Sequence, residues 1–89
     1  MRKFLLYTRS SCPYCHAATR LISENGHGYE VTSTDNQPEL LVEAIGRHQP
    51  GWKTVPLIIE LMSDGAQHFV GGYDDLREYL KSGKQLLKG

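Results

Sequence analysis

Cys12-Pro13-Tyr14-Cys15 holds both cysteines of this 89-residue chain and follows shortly after the apolar stretch Phe4 to Tyr7. Pro13 suits the first position of a helix, because its ring fixes φ and the N–H it lacks would be unpaired there. The free N–H groups and the positive dipole end of a helix N-terminus stabilise a thiolate. We therefore predict a strand over Phe4 to Tyr7, a short loop, and a helix that begins at a redox-active cysteine pair.

The remainder of the chain alternates between strand and helix patterns. Apolar spacing and the positions of glycine and proline predict a helix from Pro13 to about Glu24, a strand over Gly28 to Ser33 and a helix from Pro38 to near Gly46. Two strands follow, over Val55 to Met62 and over Gln67 to Val70. A last helix is capped by Asp74 or Asp75 and ends at Ser82-Gly83. The order βαβαββα indicates an α/β fold with a mixed four-stranded sheet flanked by three helices. We expect one domain over residues 1–89.

Composition and the N-terminal sequence limit which binding partners and which cellular compartment we expect. Ten lysines and arginines balance ten aspartates and glutamates, so no net positive field attracts nucleic acid or anionic lipid. The apolar run within Met1 to Tyr7 is too short for an export sequence or a membrane span. We expect a cytoplasmic protein with no membrane partner. In that reducing compartment, a close cysteine pair is more often catalytic or metal-binding than structural.

Three motifs occur together in this chain. They are Cys12-Pro13-Tyr14-Cys15 after the first strand, Thr54-Val55-Pro56 before the third, and Gly71-Gly72-Tyr73-Asp74-Asp75-Leu76 before the last helix. In this order and spacing they resemble the glutaredoxins over the whole chain, particularly the small bacterial and bacteriophage members. The resemblance implies a thioredoxin-like fold. It also implies glutathione-dependent reduction of protein disulfides and of glutathionylated thiols.

The two cysteines are expected to have different roles. Cys12, at the helix N-terminus, is expected to be the exposed nucleophile, whereas Cys15 lies further into the helix and is expected to be the shielded, resolving thiol. The helix end should hold the pKa of the Cys12 thiol well below its ordinary value. The reaction then passes through a mixed disulfide at Cys12, which either Cys15 or a glutathione thiolate breaks.

The other two motifs are implied to form a glutathione groove. A cis peptide before Pro56 would expose the backbone of Val55 to pair with the Cys-Gly portion of glutathione, with Thr54 assisting. Gly72, Tyr73, Asp74 and Asp75 would hold the γ-glutamyl end, with free N–H groups facing its carboxylate and an aspartate facing its ammonium. Asp75 followed by Glu78 also matches a helix capping box. Asp75 is therefore a candidate both for binding glutathione and for capping the last helix.

Four further residues complete the expected site. Tyr14 packs beside glutathione in the family. Arg9 either favours the thiolate and binds a carboxylate or is a solvated loop residue. Trp52-Lys53 departs from the family, which usually has arginine or glutamine near this motif. Lys53 would act as a point charge without the bidentate fork of arginine, and Trp52 would lie on the groove rim or in the core.

Several alternatives remain beside this interpretation. Cys12 to His16 matches a haem-attachment pattern, but no export sequence accompanies it. No second cysteine pair exists for zinc, so we expect no metal. A glutaredoxin-like thioredoxin, reduced by a flavoprotein reductase, and a noncatalytic adaptor or iron-sulfur cluster carrier are the other candidates. By family analogy, ribonucleotide reductase is a possible electron acceptor, and the default oligomeric state is a monomer.

Overall fold

The structure is a computed structural model and describes residues 2–82. Its elements are β1 (Lys3–Thr8), α1 (Pro13–Glu24), β2 (Gly28–Ser33), α2 (Pro38–His48), β3 (Leu57–Leu61), β4 (Gln67–Gly71) and α3 (Tyr73–Ser82). The strands form a sheet in the order β2-β1-β3-β4. β1 runs parallel to β2 and antiparallel to β3, and β3 is antiparallel to β4. The predicted βαβαββα order and the mixed four-stranded sheet are confirmed.

The core is divided between the two faces of the sheet, because side chains alternate along each strand. On one face, α1 and α3 pack against the sheet through Phe4, Leu6, Ala18, Ile22, Ile58, Leu76 and Tyr79. On the other face, α2 packs against it through Leu41, Ala44, Leu57 and Ile59. The central strand β3 is therefore buried on both sides, which explains its nearly continuous apolar sequence.

Two predicted boundaries are wrong. The second helix continues past Gly46 to His48, since an interior glycine costs only about 1 kcal/mol and packing of the helix offsets it. The third strand begins at Leu57 and not at Val55, because the Val55-Pro56 peptide is cis and proline has no N–H for the ladder. Gly83, the predicted end of the last helix, lies outside the described residues.

The junction between β4 and α3 also differs from the prediction. Neither Asp74 nor Asp75 precedes the helix, which already begins at Tyr73. The Gly72 carbonyl accepts the first helical hydrogen bond, from the Leu76 N–H at 2.9 Å. The Asp75 carboxylate reaches back and accepts the Gly72 N–H at 2.9 Å. Asp75 thus caps the helix from its third position, the acidic half of a capping box.

A charged cluster closes the end of the core beneath β3. Glu60 is 3% exposed and accepts hydrogen bonds from Arg2 Nε at 2.9 Å, Arg2 Nη2 at 3.1 Å and the Tyr79 hydroxyl at 2.6 Å. Burial alone would raise the pKa of Glu60, but the hydrogen bonds and charge of Arg2 and the bond from Tyr79 outweigh burial and lower it. Burial and the Glu60 contact raise the pKa of Tyr79 to about 12, so its hydroxyl keeps the proton it donates.

Replacing Glu60 with glutamine should destabilise the protein by about 2 kcal/mol at neutral pH, because it leaves the Arg2 charge unpaired in a partly buried site. Since folding lowers the pKa of Glu60, its contribution is complete above the unfolded-state pKa and is lost as pH falls through the folded-state pKa. The free energy of unfolding of E60Q, measured with urea, should therefore fall less steeply with decreasing pH than that of the wild type. The exposed pair Lys3–Glu30 supplies the control, because E30Q should change stability by less than about 0.5 kcal/mol. Equal effects of E60Q and E30Q would contradict this account.

Replacing Gly71 with alanine should destabilise the fold by about 1 to 3 kcal/mol. Gly71 has φ +128°, and an added Cβ would lie 2.7 Å from Asp75 Cγ. Gly46 is the matched control, because a Cβ there meets nothing within 4 Å and alanine favours the helix by about 0.5 to 1 kcal/mol. Relative to the wild type, the urea midpoint should fall for Gly71→Ala and rise for Gly46→Ala. An unchanged midpoint for Gly71→Ala would refute the close contact between Gly71 and Asp75.

Candidate active site

The cysteine pair lies at the start of α1, as predicted. Cys12 precedes the helix with an extended backbone, and Pro13 occupies its first turn. A disulfide joins Cys12 to Cys15, with Cα atoms 5.2 Å apart. The Cys15 N–H donates to Cys12 Sγ at 3.2 Å. The first turn of α1 thus directs a backbone N–H at the sulfur of Cys12, which is the interaction that would stabilise a thiolate there after reduction.

The expected difference in exposure between the two cysteines is wrong for this disulfide form. Cys12 is 6% exposed and Cys15 is 5% exposed. The reason is that the disulfide draws both sulfurs together against the first turn of α1, where Cys12 Sγ also accepts the Cys15 N–H. Exposure therefore does not distinguish Cys12 from Cys15 in this form, whereas position along the helix does.

A cavity of about 370 Å³, here called the first cavity, opens beside the cysteine segment. Its walls come from the segment between the cysteines, from the loop before β3 and from the start of α3. The lining residues are Tyr14, Trp52, Thr54, Val55, Pro56, Gly72, Tyr73, Asp74 and Asp75. The structure therefore brings together all of the residues predicted for the glutathione groove except Arg9 and Lys53.

The two downstream motifs meet at the floor of the first cavity. The Val55-Pro56 peptide is cis, as the family resemblance implies. Gly72 lies close to Pro56 and Trp52, since a Cβ on it would be 3.8 Å from the Pro56 carbonyl oxygen and 3.4 Å from the Trp52 ring. A side chain at Gly72 would therefore take up space beside Trp52 and Pro56 in the lining of this cavity.

Aromatic rings form the walls of the first cavity. Tyr14 is 62% exposed, and its ring lies 5.9 Å from that of Tyr73. Trp52 is half-buried and contacts Phe69 edge to face, with ring centroids 5.3 Å apart. Trp52 packs against the core on the α2 side of the sheet and also lines the first cavity. The side chain therefore belongs both to the rim and to the core, the two positions suggested for it.

The charged groups of the first cavity stand at the N-terminus of α3. Asp74 and Asp75 are exposed in its first turn, and one Asp75 oxygen already accepts the Gly72 N–H. Backbone N–H groups of a first helical turn attract a carboxylate, while the two aspartates attract an ammonium. This end of the cavity therefore suits a zwitterion. Lys53 is exposed beside Thr54 but does not line the cavity.

Arg9 lines a different cavity from the other residues predicted to bind glutathione. A second cavity, of about 390 Å³, opens between α1 and β2. Its lining residues are Thr8, Arg9, Ser10, Cys15, His16, Thr19, Tyr29, Val31 and Ser33. Because Tyr14 lines the first cavity and Cys15 lines the second, the cysteine segment separates the two.

The sequence interpretation missed the second cavity. Tyr29 and Val31 belong to the predicted second strand, yet they are 41% and 47% exposed. Their alternation with polar residues in a short strand was the available indication, because alternate residues share one face of a sheet. What the sequence does not show is that β2 lies at the sheet edge, where α1 leaves that face partly uncovered.

Within residues 2–82, no three histidine, cysteine, aspartate or glutamate side chains form a group that could hold a metal ion. Across the same described residues, no helix combines the length and apolar character needed to cross a bilayer.

Comparisons with known proteins show which family this chain resembles. The glutaredoxin family model matches residues 4–60. A glutaredoxin of Pseudomonas aeruginosa is 36% identical over 84 residues, which cover 94% of this chain and 92% of the relative. Glutaredoxin 3 of Escherichia coli is 39% identical over 71 residues, covering 80% of this chain and 77% of the relative.

A solved structure supports the same fold. A buckwheat glutaredoxin in complex with glutathione aligns with a TM-score of 0.73 over 96% of this chain and 74% of its own, at 20% sequence identity. This likeness confirms the thioredoxin-like fold. The family-model match and the curated relatives identify the chain: it belongs to the glutaredoxin family of thiol-disulfide oxidoreductases.

Proposed function

We propose that this protein reduces protein disulfides and glutathione mixed disulfides with glutathione as co-substrate. The observation that carries the proposal is the position of the Cys12–Cys15 pair beside the first cavity, which is lined by the cis Val55-Pro56 segment, by Gly72 and by the N-terminus of α3. The buckwheat structure, which contains glutathione, supports the choice of ligand.

The proposed reaction starts with reduced Cys12. Its thiolate attacks one sulfur of a glutathionylated protein thiol, so that a Cys12–glutathione disulfide forms and the protein thiolate leaves and takes up a proton. A glutathione thiolate then attacks the glutathione sulfur of that mixed disulfide. Oxidised glutathione leaves, and the Cys12 thiolate is restored. The net exchange oxidises one glutathione thiol, converts the glutathionylated protein to its free thiol and leaves oxidised glutathione, whose second sulfur comes from the original mixed disulfide.

A protein disulfide requires both cysteines. Cys12 attacks one sulfur and forms a mixed disulfide with the client, and Cys15 then attacks Cys12 Sγ and releases the second client thiol. The product is the Cys12–Cys15 disulfide, which is the form present in the structure. Two glutathione molecules reduce it again by the same exchange chemistry.

Glutathione would lie along the first cavity. We propose that its Cys-Gly portion pairs with the backbone of Val55, as a short added strand, with Thr54 beside it. Its γ-glutamyl carboxylate would face the free N–H groups in the first turn of α3, at Tyr73 and Asp74, and its ammonium would face the Asp74 and Asp75 carboxylates. Tyr14 would pack over the bound peptide.

The basic residues have weaker support. Lys53 is exposed next to Thr54, and its flexible stem would let the ammonium approach the glycine carboxylate as a point charge. Arg9 stands three residues before Cys12 and would favour the thiolate, but its place in the second cavity argues against a direct contact with glutathione in the first.

The cellular setting is proposed on the family alone. We propose that the protein works as a monomer in the reducing cytoplasm and that ribonucleotide reductase is among its electron acceptors. No described residue distinguishes that client from others.

The two cysteines should respond differently to serine substitution. Cys12→Ser should abolish glutathione-coupled reduction of every disulfide, because no nucleophile remains at the helix N-terminus. Cys15→Ser should keep reduction of glutathione mixed disulfides and lose most reduction of protein disulfides, since a second thiol is needed only there. Oxidation of NADPH by glutathione reductase measures both reactions. Turnover with thioredoxin reductase in place of glutathione would instead favour a glutaredoxin-like thioredoxin.

Alanine at both Asp74 and Asp75 should raise the Michaelis constant for glutathione about threefold to tenfold, because two exposed carboxylates near the proposed ammonium site are lost. Asp75→Ala should also destabilise α3 by about 1 kcal/mol, whereas Asp74→Ala should not, since only Asp75 accepts the Gly72 N–H. Glu78→Ala is the control, because it removes the same charge from α3 outside the cavity lining. An unchanged Michaelis constant in the double variant would assign both aspartates to the helix alone.

A further inference from the structure

The outer strand β2 has an unpaired edge next to the second cavity. Within residues 2–82, β2 pairs with β1 alone. Its register places Tyr29 beside Phe4 and Val31 beside Leu6, so both side chains lie on the sheet face that α1 covers. Both remain more than two-fifths exposed. An apolar strip therefore runs beside a row of free backbone N–H and C=O groups.

The second cavity is positively charged at the end nearest the cysteines. Arg9 and His16 line it together with Cys15, and none of the described residues that line it is acidic. The nearest carboxylate partner is Asp35, whose two oxygens accept the Ser10 N–H at 3.1 Å. The bonds from Ser10 are the main cause that holds the pKa of Asp35 below its ordinary value, and the Ser33 hydroxyl and the charge of Arg9 lower it further. Among the described residues, Asp35 forms no ion pair with Arg9. The guanidinium of Arg9 is thus the permanent charge that a visiting segment would meet.

We propose that the second cavity and the edge of β2 form the docking surface for an extended, acidic segment of the client protein. The proposal rests on the proposed function, since the docked segment leads into the cysteine under attack. Backbone groups of the segment would extend the sheet, and its alternate apolar side chains would contact Tyr29 and Val31. A carboxylate close to the client cysteine would meet Arg9 and His16.

This arrangement separates the client from the co-substrate. The first cavity, on the Tyr14 side of the cysteine segment, stays free for glutathione, while the client segment lies on the Cys15 side. Both molecules can then be present during the exchange. Main-chain pairing accepts many sequences, so selectivity among clients comes from the acidic and apolar positions.

A second copy of this chain fits the surface less well. Antiparallel pairing of two β2 edges would bring His27 and Gly28 of the other copy near Arg9, and neither carries a carboxylate. Glu30, the acidic residue of β2, lies on the opposite face, where it binds Lys3 at 2.7 Å. Charge complementarity therefore favours an acidic client over self-association.

A pair of glutathionylated peptides tests the docking surface. Both contain alternating valine and threonine beside a cysteine, and they differ in carrying a pair of glutamates or a pair of lysines next to it. We expect the wild-type protein to reduce the glutamate peptide with a kcat/KM about tenfold higher, a preference that falls with added salt. Val31→Glu should lower kcat/KM for the glutamate peptide about fivefold, since it puts a like charge on the apolar strip.

Val42→Glu is the matched control, because Val42 is 68% exposed on α2 and far from the cavity lining. Both variants should reduce the small mixed disulfide of glutathione and mercaptoethanol as the wild type does. Equal turnover of the two peptides, or equal effects of the two variants, would overturn the docking surface. Sedimentation showing a wild-type dimer that Val31→Glu dissociates would assign the edge to a second copy and also overturn it.

Binding without turnover separates this inference from the proposed function. A fluorescent glutamate peptide with serine in place of its cysteine should bind wild-type protein more tightly than the matching lysine peptide, as measured by anisotropy. That preference, seen while glutathione fails to support any turnover, would reject the proposed function and retain the docking surface. Turnover of the small disulfide without any preference between the two peptides would reject the docking surface and retain the proposed function.

Discussion

Pairing of β1 along both of its edges is the constraint on which the rest of the molecule depends. The strand is parallel to β2 on one side and antiparallel to β3 on the other, so its backbone groups are satisfied only when both neighbours are in register. A slip by one residue would turn Phe4 and Leu6 out of the core face. This register also sets where the strand ends, at Thr8, and therefore where the loop delivers Cys12.

The same register assembles the first cavity. Tyr7 lies opposite Leu57, so the start of β3 and the Pro56 that precedes it stand next to the end of β1. β4 pairs with β3 and ends at Gly71, which carries the Gly72 turn and the start of α3 to the same edge. Segments separated by some forty to sixty residues thus meet around the cysteines. The site is a product of strand pairing, and the helices add the polarity of their N-termini.

Glu60 shows how the opposite end of the sheet is closed. It lies in the most buried strand, where an unpaired carboxylate would be strongly unfavourable. Arg2 and Tyr79 satisfy its oxygens, and the Arg2 guanidinium lies 5.1 Å from the Tyr79 ring centre and 5.5 Å from that of Phe4. The cluster joins the entry to β1, the end of β3 and α3. It stabilises the end of the core that lies away from the cysteines.

The sequence by itself determined the element order, the mixed sheet and the cysteine pair at a helix start, because these follow from local periodicity and from the properties of proline and glycine. It also indicated most of the first cavity, through motifs whose residues are neighbours along the chain. Only the tertiary structure decided that Arg9 belongs to the second cavity, that Asp75 caps α3 from inside the helix, and that Glu60 is paired. Those outcomes depend on contacts between distant segments and on which strand lies at the sheet edge. Such contacts are set by packing, which no local pattern encodes.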